Sequence, residues 1–306
     1  MDMLDHSVSG ESRREAGHWA QALKYQALPH MASMLPAAIG SLGRGSGGTA
    51  VAPMQRLFRL GPLDVRHIEA YRSLVCGGSG DLPLTYFYLL AQRAQLRVMI
   101  DRQYPYSVPG MIHVVNALKM HRLPRTDRPF TVRTSVDFYT DEQQREQVHF
   151  TVEFEQNGEL TVTCTSEYLA RRPPRRSGGS AAESAPAVPT DGGATMRWEF
   201  DSWSGWRYAK VSGDYNPIHL SARLARAFGF RHRILQGMYG LASTAATIEG
   251  EAARPLSMIS VRFCKPLTLP GRVFAHWDRV DAPGRFAMRS LDEPETVLMQ
   301  GDYEFA

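Results

Sequence analysis

From residue 85 onward, hydrophobic residues fall into two alternating periods. Thr85 to Asp101 reads TYFYLLAQRAQLRVMID and sets Phe87, Leu90, Ala91, Ala94 and Val98 three and four residues apart, the spacing of a helix with one buried stripe. Pro83 and Pro105 bracket it. The period then drops to two. Thr131 to Tyr139 alternates through Val132, Thr134, Val136 and Phe138, Glu146 to Glu155 through Val148, Phe150, Val152 and Phe154, and Glu159 to Leu169 through Leu160, Val162 and Cys164. One apolar and one mostly polar face per run predicts antiparallel strands with one side on a core. Asn157-Gly158 between the last two runs is a two-residue hairpin signal.

The same order returns further along. Gly237 to Glu249 places Met238, Leu241, Ala242, Ala245 and Ile248 on one helical stripe, with Gly250 as the expected stop. Gly240, Ala242, Ser243, Ala245 and Ala246 make this helix narrow, suited to close wrapping by a sheet. Strand-like runs follow at Met258–Phe263, Val273–Trp277, Phe286–Arg289 and Thr296–Tyr303. Local signals repeat as well. Tyr71 leads to Gly80-Asp81-Leu82-Pro83-Leu84-Thr85, and Tyr208 leads to Gly213-Asp214-Tyr215-Asn216-Pro217-Ile218-His219. Two copies of loop, helix and antiparallel strands predict an α+β architecture in which each sheet wraps a central helix.

Between the copies, Arg171 to Thr195 is rich in Pro, Gly, Ser and Ala with almost no large apolar residue, too little to offset its ordering entropy. The expected organisation is an N-terminal arm over 1–50, a first unit over 51–170, a linker over 171–195 and a second unit over 196–306. Within the arm, Leu28, Met31, Met34, Leu35, Ile39 and Leu42 outline one amphipathic helix, interrupted by Pro29 and Pro36.

A length of 306 residues leaves room for about two domains. Apolar residues at 43% and charged residues at 22% exclude a mainly disordered or collagen-like chain. The 35 basic against 31 acidic residues are too balanced for a polyanion binder, and no helix-turn-helix string appears, so no nucleic-acid partner is expected. Cys76, Cys164 and Cys264 are far apart and odd in number, which excludes a disulfide framework and a CxxC motif. No run of about 18 apolar residues reads as a membrane span, and the first residues lack an apolar signal core; a cytoplasmic setting is the expectation.

Candidate chemistry concentrates in Tyr208 to Gly240, YAKVSGDYNPIHLSARLARAFGFRHRILQGMYG. Asn216-Pro217 is a turn dipeptide, and Asp214 and His219 lie across it. A compact turn brings a carboxylate and a group that titrates near neutrality onto one pocket. From Ile218 a short helix is expected to end near Gly229, with Leu220, Leu224 and Phe228 on one stripe. Gln236-Gly237-Met238 opens the next helix, whose first amides lack intrahelical partners and favour negative charge. Glycine there lets a carbonyl approach the backbone closely. Taken singly, Asp214 also reads as a helix cap, His219 as a satisfied first-turn histidine and Gly237 as a plain helix start; the ordered string favours a functional site. His113, His121, His149, His232 and His276 show no ligand spacing and read as structural or surface residues. Arg231 and Arg233 read as solvated charge, with phosphate contact as the alternative.

Val211-Ser212-Gly213-Asp214-Tyr215-Asn216-Pro217-Ile218-His219, followed by Ala227-Phe228-Gly229-Phe230 and Ile234-Leu235-Gln236-Gly237-Met238, resembles the MaoC-like hydratase motif, which is shared by (R)-specific enoyl-CoA hydratases and 3-hydroxyacyl-thioester dehydratases. The resemblance covers about Trp198 to Ala306. Leu82-Pro83-Leu84-Thr85-Tyr86 and Gly110-Met111-Ile112-His113 extend it to a degenerate N-terminal partner, of the double-hotdog type found in actinobacterial lipid metabolism. It implies a double hotdog with two curved antiparallel sheets, each around a central helix. The implied reaction is hydration of a trans-2-enoyl thioester to an (R)-3-hydroxyacyl thioester, on acyl-CoA or acyl-carrier-protein substrates. Asp214 and His219 are implied as the catalytic pair, the Gly237 amide as donor to the thioester oxygen and Asn216 as the residue that orients the pair. No metal or organic cofactor is implied, and a homodimer is compatible. Gln236 and Ser221 depart from the pattern, where many members have His and Asp. The acyl tail is expected to enter the N-terminal half along Thr85 to Asp101, plain core packing being the alternative. Other readings are a non-catalytic acyl-thioester binding subunit and a hotdog thioesterase, the latter disfavoured because Glu249 lies far from Gly237.

Overall fold

The computed structural model describes residues 25–41, 52–76, 82–143, 145–170, 193–278, 280 and 282–306. The first half comprises β1 (Tyr25–Ala27), α1 (Met31–Gly40), β2 (Met54–Leu60), α2 (Val65–Leu74), α3 (Tyr86–Met99), β3 (Met111–Met120), β4 (Phe130–Thr140), β5 (Glu146–Gln156) and β6 (Glu159–Ala170). The second comprises β7 (Ala194–Phe200), α4 (Ser204–Ser212), α5 (Pro217–Leu220), α6 (Ala222–Ala227), α7 (Gly237–Ala252), β8 (Leu256–Phe263), β9 (Gly271–Trp277), β10 (Gly284–Ser290) and β11 (Val297–Phe305). Among the described residues no helix is long and apolar enough to cross a membrane.

The strands lie in the order β1-β2-β4-β5-β6-β3-β8-β11-β10-β9-β7. The run β2-β4-β5-β6-β3 and the run β7-β9-β10-β11-β8 are the same topology, with α3 between β2 and β3 along the chain in one and α7 between β7 and β8 in the other. This is a double hotdog. The two expected sheets are not separate: antiparallel pairing of β3 with β8, Val115 opposite Arg262 through Lys119 opposite Met258, joins them into one. Among the described residues only β1 pairs in parallel, with β2.

Each helix supplies the stripe that its spacing predicts. Phe87, Leu90, Ala91, Ala94 and Val98 of α3 are buried, and Phe87 meets Phe130 and Phe154 edge to face. Leu241, Ala242, Ala245 and Ile248 of α7 are buried. Small residues here let the sheet side chains close on the helix: a Cβ on Gly240 would stand 2.6 Å from the Met299 methyl, the mobile end of that side chain. The β5–β6 turn places Asn157 and Gly158 at φ 53° and 79°, the pairing of a type I′ hairpin.

Several expectations need correction. Ala194 and Thr195, assigned to the linker, open β7, an edge strand paired with β9; residues 171–192 lie outside the described residues, as do 1–24 and 42–50 of the arm, Leu42 included, and Gly80-Asp81. Pro36 sits inside α1 without ending it, because Met31, Met34 and Ala38 bury one face of that helix. The helix expected from Ile218 to Gly229 is broken at Ser221, whose backbone is extended and whose Oγ accepts the Leu224 N–H at 3.4 Å. Leu224 is exposed, so the expected stripe does not form. Gly250 does not stop α7. The helix runs one turn further to a left-handed Ala253, and that turn is held by Trp277 Nε1 donating to Glu251 Oε2 at 2.9 Å.

Candidate active site

The chain leaves α4 through Gly213, which is left-handed at φ 77° and donates its N–H to the Ala209 carbonyl. A side chain there would be strained, and its Cβ would come within 2.9 Å of Met31. The turn that follows is built from its own side chains. Asp214 Oδ1 accepts the Asn216 N–H at 3.2 Å, and Asn216 Oδ1 accepts the Ile218 N–H at 3.3 Å. Asn216 is thereby the N-cap of α5, and Pro217 fills its first position, where a missing N–H costs nothing.

One turn into α5, His219 is buried. Its Nδ1 lies 2.8 Å from the Ile234 carbonyl. A carbonyl only accepts, so the neutral ring carries its proton on Nδ1 and presents a bare Nε2. That Nε2 is 3.8 Å from Asp214 Oδ2, too long for a good hydrogen bond. Both atoms therefore keep capacity for a third partner.

Gln236 is the N-cap residue of α7. Its Nε2 donates to the Gly205 carbonyl at 3.1 Å and reaches the Asp214 carbonyl at 3.5 Å, which ties the helix start to the turn that carries Asp214. Gly237, the next residue, has a first-turn amide with no intrahelical acceptor. Phe263 of β8 packs so closely on it that a Cβ would stand 2.6 Å from the ring.

A cavity of about 400 Å³ collects these groups: Asp214, Asn216, His219 and Gly237 all line it. Asn216 contributes differently from the expectation. Its carboxamide oxygen caps α5 and so fixes the backbone between the pair, with no hydrogen bond from that side chain to either partner. Apolar walls come from Phe263, Met288, Leu298 and Met299 of the second half. The first half contributes Tyr88 and Gln92 of α3, His113 of β3 and Tyr168 of β6 to the lining, and the His113 ring lies 5.2 Å from that of Phe263.

Tyr88 and Gln92 lie on the helix along which the acyl tail is expected, whereas a lining role for His113, Tyr168, Phe263 or Met299 was not foreseen from the sequence. His113 in particular does not behave as an ordinary surface or structural histidine. Its ring is clamped between Tyr88 (centroids 5.5 Å apart, 11° between planes) and Tyr168 (4.6 Å, 17°). Burial lowers its pKa to about 3, against the opposing effect of the Val115 backbone, so it is neutral. Glu249, by contrast, does not line the cavity; it is buried and accepts the Leu256 N–H at 2.9 Å. Arg231 and Arg233 also lie outside the lining, whereas exposed Lys265 belongs to it. Among the described residues no three or more His, Cys, Asp or Glu side chains gather as a metal site.

Residues 193–297 match the family model described as MaoC like domain. That match lies within the second half and spans about a third of the chain. The chain is 26% identical over 212 residues to 3-hydroxyacyl-thioester dehydratase X of Mycobacterium tuberculosis, across 68% of this chain and 74% of that protein. The crystal structure of HtdX from the same organism superposes with a TM-score of 0.66 at 21% identity, covering 83% of this chain and all of that one. A second M. tuberculosis protein, described as having a double hotdog fold, superposes with a TM-score of 0.54 at 11% identity, covering 84% of this chain and 96% of its own. These structural likenesses establish the fold of both halves, and the family match falls on the half that carries Asp214, His219 and Gly237.

Proposed function

We propose that the chain catalyses reversible hydration of a trans-2-enoyl thioester to an (R)-3-hydroxyacyl thioester, carried on CoA or an acyl carrier protein, with Asp214 and His219 as its acid/base pair. The MaoC-like match and the likeness to a 3-hydroxyacyl-thioester dehydratase support a hydro-lyase reaction on an acyl thioester. One observation carries the choice of residues: Asp214 Oδ2 and His219 Nε2 stand 3.8 Å apart in the wall of a cavity that also holds the start of α7. A water within reach of both atoms is oriented by two acceptors at once.

In the hydration direction the pair takes one proton from water as its oxygen bonds to carbon 3. A proton is returned to carbon 2, so the elements of water are added across the double bond. Between these events negative charge builds on the thioester oxygen. On this reading the Gly237 amide and the dipole of α7 stabilise it, and one such donor is worth roughly 3–4 kcal/mol in comparable sites. General acid/base assistance contributes about 10²–10⁴-fold. The Ile234 carbonyl supports this role by keeping the proton on the far nitrogen of His219.

The test is to incubate the purified chain with crotonyl-CoA. Loss of enoyl absorbance, with the (R)-3-hydroxy product by chiral analysis, is the expected result. Release of free CoA thiol without hydration would identify a thioesterase instead, and binding without turnover would identify an acyl-thioester binding subunit.

A further inference from the structure

Of the polar groups that Asp214 carries, the turn engages all but one. Its N–H donates to Ser212 Oγ at 3.1 Å, its carbonyl lies 3.5 Å from Gln236 Nε2, and its Oδ1 accepts the Asn216 N–H at 3.2 Å. Oδ2 is the oxygen left over, and it stands 3.8 Å from His219 Nε2. A carboxylate held at one oxygen and on both sides of its own main chain has little freedom to turn, so these contacts set where Oδ2 lies.

Gln236 is the contact that local stability does not explain. It is the N-cap residue of α7, yet its side chain makes no cap there. An N-cap side chain ordinarily satisfies a first-turn amide with its oxygen. Here Oε1 is buried with no hydrogen-bond partner, an unfavourable state, and Nε2 bonds the Gly205 carbonyl at 3.1 Å and the Asp214 carbonyl instead. Two carbonyl acceptors fix which end of the carboxamide is the nitrogen. Gly205 belongs to the same assembly. A Cβ on it would stand 2.6 Å from the His219 carbonyl, so the part of α4 that receives Gln236 also packs against the backbone of His219. Gln236 and Ser212 are both buried. A side chain that leaves its own helix uncapped and its own oxygen unsatisfied, while holding the main chain of a site residue, breaks local rules in the way functional sites do.

Building on the hydratase reading, we propose that Gln236 and Ser212 are positioning residues for Asp214, holding its main chain so that Oδ2 is the oxygen that works with His219. Gln236→Glu keeps the shape but sets acceptors against two carbonyls, and Gln236→Met keeps the length without a donor. Ser212→Ala is the mildest change, removing one hydroxyl.

The experiment measures crotonyl-CoA hydration by the intact protein and these variants, with butyryl-CoA binding alongside. Butyryl-CoA has no double bond to hydrate, so its stoichiometry and Kd report binding-competent protein apart from chemistry. Expected is a fall in kcat of about 10²-fold in both Gln236 variants and about tenfold in Ser212→Ala, with KM, butyryl-CoA Kd and stoichiometry within about twofold of wild type. Because the effect passes through Asp214, adding Gln236→Met or Ser212→Ala to Asp214→Asn is expected to cost less than about threefold more. Folded variants with wild-type kcat would overturn the proposal. So would losses that multiply in full with Asp214→Asn, a fall in kcat matched by lost binding stoichiometry, or a rise in KM and Kd at constant kcat. If the Gln236 variants fail to fold, Ser212→Ala alone and combined with Asp214→Asn decides. Hydration by the wild type with unimpaired variants would sink this inference and leave the hydratase reading standing; no hydration by the wild type would remove both.

Discussion

Gly237 shows how narrowly the site is built. The ring of Phe263 lies where a Cβ would have to go, 2.6 Å from its nearest carbon, and Gly237 both lines the cavity and opens α7. Gly237→Ala must therefore move Phe263 or the helix start. The expected outcome is a loss of about 1–3 kcal/mol in stability and, on the proposed role of Gly237 as donor to the thioester oxygen, a fall in kcat with KM little changed; denaturant unfolding and steady-state kinetics on crotonyl-CoA check this. Asp214, Asn216, His219 and Gly237 were legible in the sequence because one stretch of the chain, Tyr208 to Gly240, carries them all in order. Tyr88, Gln92, His113 and Tyr168 were not named individually, although the helix that carries Tyr88 and Gln92 was expected to meet the acyl tail. They come from three elements of the other half, and nothing in the spacing of a lone histidine among Met111, Ile112 and Val114 says that two tyrosines will enclose it.

At the scale of elements, the site depends on how α4 ends. Gly213 turns the chain at φ 77° against Met31 of α1, so the arm helix braces the turn that displays Asp214. Gly213→Ala meets both a left-handed backbone and a contact at 2.9 Å. A destabilisation of about 1–3 kcal/mol is expected, with activity reduced through the displaced carboxylate; thermal unfolding alongside hydration rates measures both. Elements with a clean period were readable in advance, namely α3, β4, β5, β6, α7 and the last four strands. β3 was not, because its inward positions include polar Asn116 and a register shift between His113 and Val115 breaks the alternation. β7 escaped notice because an edge strand with mostly exposed side chains has no apolar face to show. The break at Ser221 is a competition that local capping wins over helical continuity.

For the whole molecule, the repeat was visible in the sequence but its closure was not. Pairing of β3 with β8 is a contact between copies, and no local period encodes it. The halves also meet on the helix side, where His67 bridges the Tyr86 hydroxyl at 2.7 Å and the Val211 carbonyl at 2.8 Å. Glu249 of α7 lies in the same seam, within electrostatic reach of Arg72 of α2. Burial raises its pKa from 4.5 to about 7, with the Leu256 N–H and Arg72 opposing the rise. The folded state therefore binds this proton more tightly than the unfolded chain. The resulting stability is complete below about pH 4.5 and is lost as pH rises through about 7. Glu249→Gln keeps an acceptor for Leu256 and removes the titration, so its denaturant midpoint should fall less than that of the wild type between about pH 5 and about pH 8. The depressed pKa of His113 acts in the opposite sense. Its contribution is present above 6.5 and is lost as pH falls toward about 3.

The central claim is that one carboxylate and one imidazole, joined by no direct bond, together activate water. Its most direct measurement is the crotonyl-CoA hydration rate of Asp214→Asn and His219→Ala beside the wild type, with matched unfolding curves. Each folded variant is expected to lose about 10²–10⁴-fold in kcat. Folded variants that both hydrate crotonyl-CoA at the wild-type rate would contradict the account.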